Sequence, residues 1–201
     1  MANVTQAFGL RPLRYIDGTP WNGATIDCWC SSVYATALFI GDPVLLTPTL
    51  THKDPTANMP TVIVSAGTTG IIVRGVIVGF APNPDNLTQQ YRPASQSRVA
   101  KVCMATPDLI FQIRDDGDGT PGVVWPGQNA LIAAGSGSTI TGKSGYVLDA
   151  STTPTTTQAH TLHIIGLADI PDNELADYAI WDVIINTSRN TTGSYLGITA
   201  A

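Results

Sequence analysis

The feature that most constrains this chain is its punctuation. From Ile26 nearly to the carboxyl end, short runs rich in Val and Ile are bounded by Gly, Pro, Asn or Asp. Such runs fit strands, because β-branched side chains pack on a pleated surface and the turn residues reverse the chain. Strands are predicted at Ile26 to Cys30, Pro43 to Thr47, Thr61 to Ser65, Ile71 to Phe80 and Val99 to Ala105. Further runs lie at Leu109 to Arg114, Ala130 to Ala133, Gly145 to Leu148, Thr161 to Ala168 and Ala179 to Asn186. Gly75 and Gly79 predict a bulge or a bend inside their run. No long segment carries a helical period, and the one helical expectation is a short turn at Asp172 to Ala176 behind Pro171. Many short strands without alternating helices predict an all-β fold, a sandwich or barrel of jelly-roll-like kind.

Residues 1–25 read differently. Pro12 and Pro20 interrupt any ladder, and Asp17-Gly18 and Asn22-Gly23 are tight-turn signals. The segment is expected to be an extended amino-terminal arm, followed by a single β-rich domain over 26–189 and a tail over 190–201. Phe8, Arg11, Arg14, Tyr15 and Trp21 combine aromatic anchors with guanidinium groups, the residue types that dominate protein interfaces. They are the candidate protein-interaction residues. The arm needs something to lie against: its own domain, a sister subunit or another protein.

Composition sharpens this. Of the 201 residues, 43% are hydrophobic but only 12% charged, about half the usual ~25%. A weakly charged surface resists association poorly, so a partner is implied. A net charge of −5 leaves no electrostatic footprint for nucleic acid. No apolar run approaches the ~18 residues of a membrane-spanning helix, and Met1-Ala2-Asn3-Val4 lacks the pattern of a signal peptide. Three cysteines do not make a secreted disulfide framework. Cys28 and Cys30 flank Trp29 and should share one strand face as reduced, half-buried thiols.

Several motifs look chemical until their context is read. Gly137-Ser138-Thr139-Ile140-Thr141-Gly142-Lys143-Ser144 matches the phosphate-binding P-loop pattern in full. A P-loop must open into a helix whose amino end supports the phosphate. Here Gly145 and the strand-like Tyr146-Val147-Leu148 follow instead, so no nucleotide is expected. Asp115-Asp116-Gly117-Asp118-Gly119-Thr120 resembles a calcium loop, but started at Asp116 it has Pro121 where Gly is required; a hairpin turn is the expectation. His160 and His163 on a strand would point to opposite faces, which disfavours a shared metal. No G-x-S-x-G nucleophile elbow occurs, and a single glutamate, Glu174, excludes a Glu–Glu pair. The expectation is a protein without catalytic site, cofactor or metal.

The chain resembles the cement, or decoration, proteins of tailed double-stranded DNA phage capsids. The resemblance is carried by Phe8-Gly9-Leu10-Arg11-Pro12-Leu13-Arg14 with Asn22-Gly23-Ala24, and by Ala35-Thr36-Ala37-Leu38-Phe39-Ile40-Gly41-Asp42-Pro43-Val44. It continues through Gly75-Val76-Ile77-Val78-Gly79-Phe80, Tyr91-Arg92-Pro93-Ala94-Ser95 and Ala168-Asp169-Ile170-Pro171-Asp172-Asn173-Glu174-Leu175. What it implies is a non-enzymatic, oligomeric, β-rich virion protein. Such a protein is made in the host cytoplasm and binds the outside of an icosahedral shell of HK97-fold major capsid subunits. It ties neighbouring capsomers together, contacting neither nucleic acid nor membrane. A homo-oligomer is expected, a trimer before a dimer, since such proteins often occupy local threefold positions. Two other readings remain: a tail or head-fibre base component, or a carbohydrate-binding module using Trp21, Trp29, Trp125 and Trp181.

Overall fold

The computed structural model describes residues 3–47, 59–66 and 72–186; the expected tail over 190–201 lies outside them. Twelve strands and no helix form among the described residues. They are β1 (Arg11–Tyr15), β2 (Ile26–Cys30), β3 (Pro43–Leu46), β4 (Val62–Val64), β5 (Gly75–Phe80) and β6 (Arg98–Met104). There follow β7 (Leu109–Arg114), β8 (Asn129–Ala130), β9 (Ile132–Ala133), β10 (Val147–Leu148), β11 (Leu162–Leu167) and β12 (Ile180–Ile185). One five-stranded sheet has the order β1-β7-β12-β11-β8, a second β2-β6-β5-β3-β4, and β9 and β10 make a small ribbon. The architecture is an all-β sandwich, and neither sheet closes into a barrel.

Alternation decides which side chains meet. Phe111 and Ile113 of β7, Leu162 and Ile164 of β11, and Trp181 and Val183 of β12 join Val76 and Cys103 of the second sheet in one buried cluster. Each such side chain contributes about 1.5–3 kcal/mol by leaving water. The opposite face of the second sheet is buried as well. Cys28, Cys30, Val44, Val62, Ile77, Ala100 and Val102 form a separate cluster capped by Leu38 and Tyr34. The second sheet curls around it until its two edge strands approach, where Trp29 N–H donates to Pro60 O at 2.8 Å beside a single parallel bridge, Trp29 to Thr61. Burial on both faces is why β5 and the start of β3 read as nearly continuous apolar runs.

Most expected strands form with ends shifted by a residue or more, the run up to Phe80 becoming strand only from Gly75. The one expected over Ala130 to Ala133 is instead two, β8 pairing in the first sheet and β9 in the ribbon. The bulge anticipated near Gly79 appears as a register shift between Ile77 and Gly79. At Gly75 the constraint is close approach: a Cβ there would run into the Cys103 carbonyl. Cys28 and Cys30 do share a face, but they are fully buried rather than half-buried, at 1% and 0% exposure.

Two expectations are corrected. Asp172 to Ala176 is a series of turns, and Asp172 itself has a φ of 60°, a left-handed conformation that stops a helix at its start. The arm over 1–25, in which Pro12 was expected to interrupt any ladder, contains β1, which pairs antiparallel with β7 through Arg11–Gln112 and Pro12–Phe111, then after a bulge through Arg14–Ile110 and Tyr15–Leu109. A proline is compatible with that ladder because β1 is the sheet's edge and Pro12 borders the bulge. Leu10, just before it, is in the main core at 2% exposure.

Candidate interaction surface

The end of β1 is anchored by a tight junction. Leu10 N–H donates to Gly41 O at 2.9 Å, Gly41 N–H to Ile77 O at 2.7 Å, and Ser144 N–H to Ile40 O at 2.8 Å. This brings the amino-terminal segment, the 38–42 loop, β5 and the 137–144 loop together. Gly9 permits the contact through its φ of +72°, since a Cβ would lie 2.5 Å from both Gly41 O and Ser144 Cβ. Beneath it Asp42 is 3% exposed. Burial pushes its carboxyl up to about 6, against the opposing pull of the Ser144 hydroxyl and of Phe39 N–H, which donates to it at 2.8 Å.

Beside this junction lies an open depression of about 270 Å³. Leu10 and Ile77, both buried, form its base. Phe8, Trp21, Ile40 and Val78 supply apolar walls, and Arg11 and Lys143 are the cations on its lining. No carboxylate lines it among the described residues. The Phe8 ring carries two guanidinium groups, with Arg11 Cζ 5.1 Å and Arg114 Cζ 5.8 Å from its centroid, within cation–π reach.

Of the five residues singled out from sequence, Phe8, Arg11 and Trp21 meet in this depression. Tyr15 lines a separate, smaller hollow of about 160 Å³ that Trp21 also lines. Arg14 turns instead to the sheet's outer face and pairs with Asp182 at 3.2 Å. Arg11 also donates to Gln112 Oε1, and Gln112 Nε2 donates to Asp182 Oδ1 at 3.0 Å. Gln112 and Asp182 thereby link both arm arginines across three strands. Lys143, Ile40, Val78 and Arg114 were not anticipated in this role. The one available signal was the alternation in Leu109-Ile110-Phe111-Gln112-Ile113-Arg114, which puts Gln112 and Arg114 together on the face away from the core.

The chemical-looking motifs are spent on the fold. In the P-loop-like segment Ser138 N–H donates to Lys143 O at 2.9 Å and Gly142 N–H to Ser138 O at 2.8 Å. These amides close a turn rather than face outward, and strand β10 follows. The Asp115 carboxylate accepts from Gly117 N–H at 3.1 Å, Tyr178 N–H at 2.6 Å and Trp181 Nε1–H at 3.1 Å. The 115–120 loop is a turn but no hairpin, because β7 pairs with β1 and β12 and not with the next strand in sequence. His160 precedes β11 rather than lying on it. Its Nδ1 is 3.2 Å from Asn129 O, and His163 Nδ1 is 2.7 Å from Asn129 Oδ1, so both imidazoles brace one asparagine. Trp125 and Trp181 pack against each other in the core, their rings tilted by 32° with centroids 5.2 Å apart, beyond reach of a sugar ring.

Comparison with protein-family models, with curated proteins and with solved structures gives no significant match in any of the three.

Proposed function

We propose that this chain is a structural virion protein that binds the outer surface of an icosahedral phage head and cements neighbouring capsomers of HK97-fold major capsid protein. The observation that carries this reading is the gathering of Phe8, Arg11 and Trp21 around one apolar depression at a sheet edge. Aromatic and guanidinium groups clustered about a pocket are the make-up of an interface hot spot. The sequence resemblance to cement proteins names the partner. The scarcity of charge agrees with a surface that is covered in a particle. A homo-oligomer, a trimer before a dimer, serves the same role by presenting several copies of the depression to adjacent capsomers.

The test is biochemical. The purified chain is mixed with expanded, undecorated heads and sedimented, and the pelleted particles are imaged by electron cryomicroscopy. Near-stoichiometric recovery with density outside the shell is the expected result. Recovery only with tails, or no recovery with heads, overturns the reading. Light scattering at tens of micromolar (about that range, where weak oligomers form) reports the assembly state, and a persistent monomer there and on the particle removes the oligomer.

A further inference from the structure

The depression beside Gly9 has a charge pattern at odds with the rest of the molecule. The chain carries a net charge of −5, yet the lining holds Arg11 and Lys143, both exposed, and no acid among the described residues. Arg114 adds a third cation near Phe8, its Cζ 5.8 Å from the ring centroid. It is only 8% exposed, and its Nε and Nη1 are buried without a hydrogen-bond acceptor. A buried guanidinium N–H with no acceptor costs about 1–3 kcal/mol. Asp182, the carboxylate of the neighbouring network, is already held by Arg14 and Gln112. Asp115, the carboxylate whose charge acts on Arg114, accepts from Gly117, Tyr178 and Trp181.

The shape narrows the ligand. At about 270 Å³ the depression falls just under the ~300 Å³ at which pockets begin to hold drug-sized ligands. It suits one large side chain rather than an oligosaccharide or a nucleotide. Its apolar walls leave a bare phosphate nothing to bury, whereas an aromatic or branched aliphatic group would cover Phe8, Trp21 and Ile40 together.

We propose that this depression is a socket for a single large apolar side chain of a partner protein segment in which that side chain is flanked by carboxylates. The apolar group fills the space over Leu10 and Ile77. The carboxylates meet Arg11 and Lys143. The identity of the partner rests on the capsid reading above; the chemistry of the socket does not.

The experiment uses full-length protein labelled at isoleucine methyl groups, because Ile40 and Ile77 line the socket while Ile113 and Ile164 report on the core. The probe is the peptide N-acetyl-Gly-Asp-Phe-Asp-Gly-amide. Two control peptides replace both Asp by Asn, or Phe by Ala. The expected result is a saturable shift of Ile40 and Ile77 alone, with each control at least about tenfold weaker. The double variant Arg11→Gln, Lys143→Gln should lose about tenfold for the acidic peptide and nothing for the Asn peptide. No shift at about 10 mM peptide, equal binding of all three peptides, or shifts confined to other isoleucines overturns the proposal. Shifts of Ile40 and Ile77 on simple dilution would assign the socket to a second copy of the chain and overturn it equally. Peptide binding by a protein that ignores heads sinks the capsid reading and leaves the socket. Undiminished head binding by the double variant sinks the socket as the attachment point.

Discussion

Arg14 on the edge strand reaches over β7 to Asp182 on β12, its Nη2 3.2 Å from Oδ2, although the two strands are not neighbours. Gln112 lies between them and donates to the other oxygen of the same carboxylate. The Asp182 carboxylate is thus the acceptor that fastens the edge strand to the centre of the sheet. Replacing it strands a buried amide, so Asp182→Ala is expected to cost about 2 kcal/mol in urea unfolding. Arg14→Ala, whose side chain is half exposed, should cost less than about 1 kcal/mol.

Arg92 has no exposed surface, yet its partners are carbonyls rather than acids. It donates to Gln96 O at 2.5 Å, Thr36 O at 2.6 Å and Tyr34 O at 2.8 Å, and also to Ser31 O. The planar fork ties the 31–37 loop to the 92–96 loop over the smaller core. Arg92→Ala is expected to destabilise by about 3 kcal/mol or more, and Arg92→Lys to recover less than half, because one ammonium does not span those directions. Chemical denaturation of the two variants checks both.

Gly9→Ala forces a Cβ to within 2.5 Å of Gly41 O at a φ of +72°. The expected loss is about 2 kcal/mol or more, concentrated where the amino-terminal segment docks. Hydrogen exchange should show protection lost first at Leu10, whose N–H bonds to Gly41 O, while β11 and β12 amides stay protected.

Asp42 makes stability depend on pH with a definite sign. Its folded carboxyl sits at about 6 and its ordinary value is 3.8, so the folded state holds the proton more tightly than the unfolded state. Stability contributed by the protonated form is therefore present below about 4 and is lost as pH rises through about 6, by on the order of 2–3 kcal/mol. Asp115, also raised by burial, tilts the curve the same way. Asp42→Asn should flatten the slope between those two values in urea unfolding at a series of pH values. An unchanged slope would mean that the carboxyl is not responsible.

Much of the fold was legible because its causes are local. Leu109 to Arg114 and Ile26 to Cys30 form with the boundaries read from sequence, since β-branched and aromatic residues end there at turn formers. Gly79 marked its bulge, and the strand-like residues after Lys143 do form a strand, β10, rather than a helix. Phe8, Arg11 and Trp21 were singled out by their chemistry alone, and the fold brings them around one depression. β1 could not be read, because Pro12 argues against a strand everywhere except at an edge or bulge, and which strand is an edge depends on pairing with residues some hundred positions away.

The sequence by itself determined the class of fold, the positions of most strands and the chemistry of the amino-terminal segment, since residue type and spacing settle local backbone preference. Only the tertiary structure decided that Arg11 would share a depression with Lys143, that Asp182 would hold Arg14, and that Asp42 would be buried. Those contacts join segments distant in the chain, and they form because closing the two sheets over one core leaves each of these side chains a single neighbourhood.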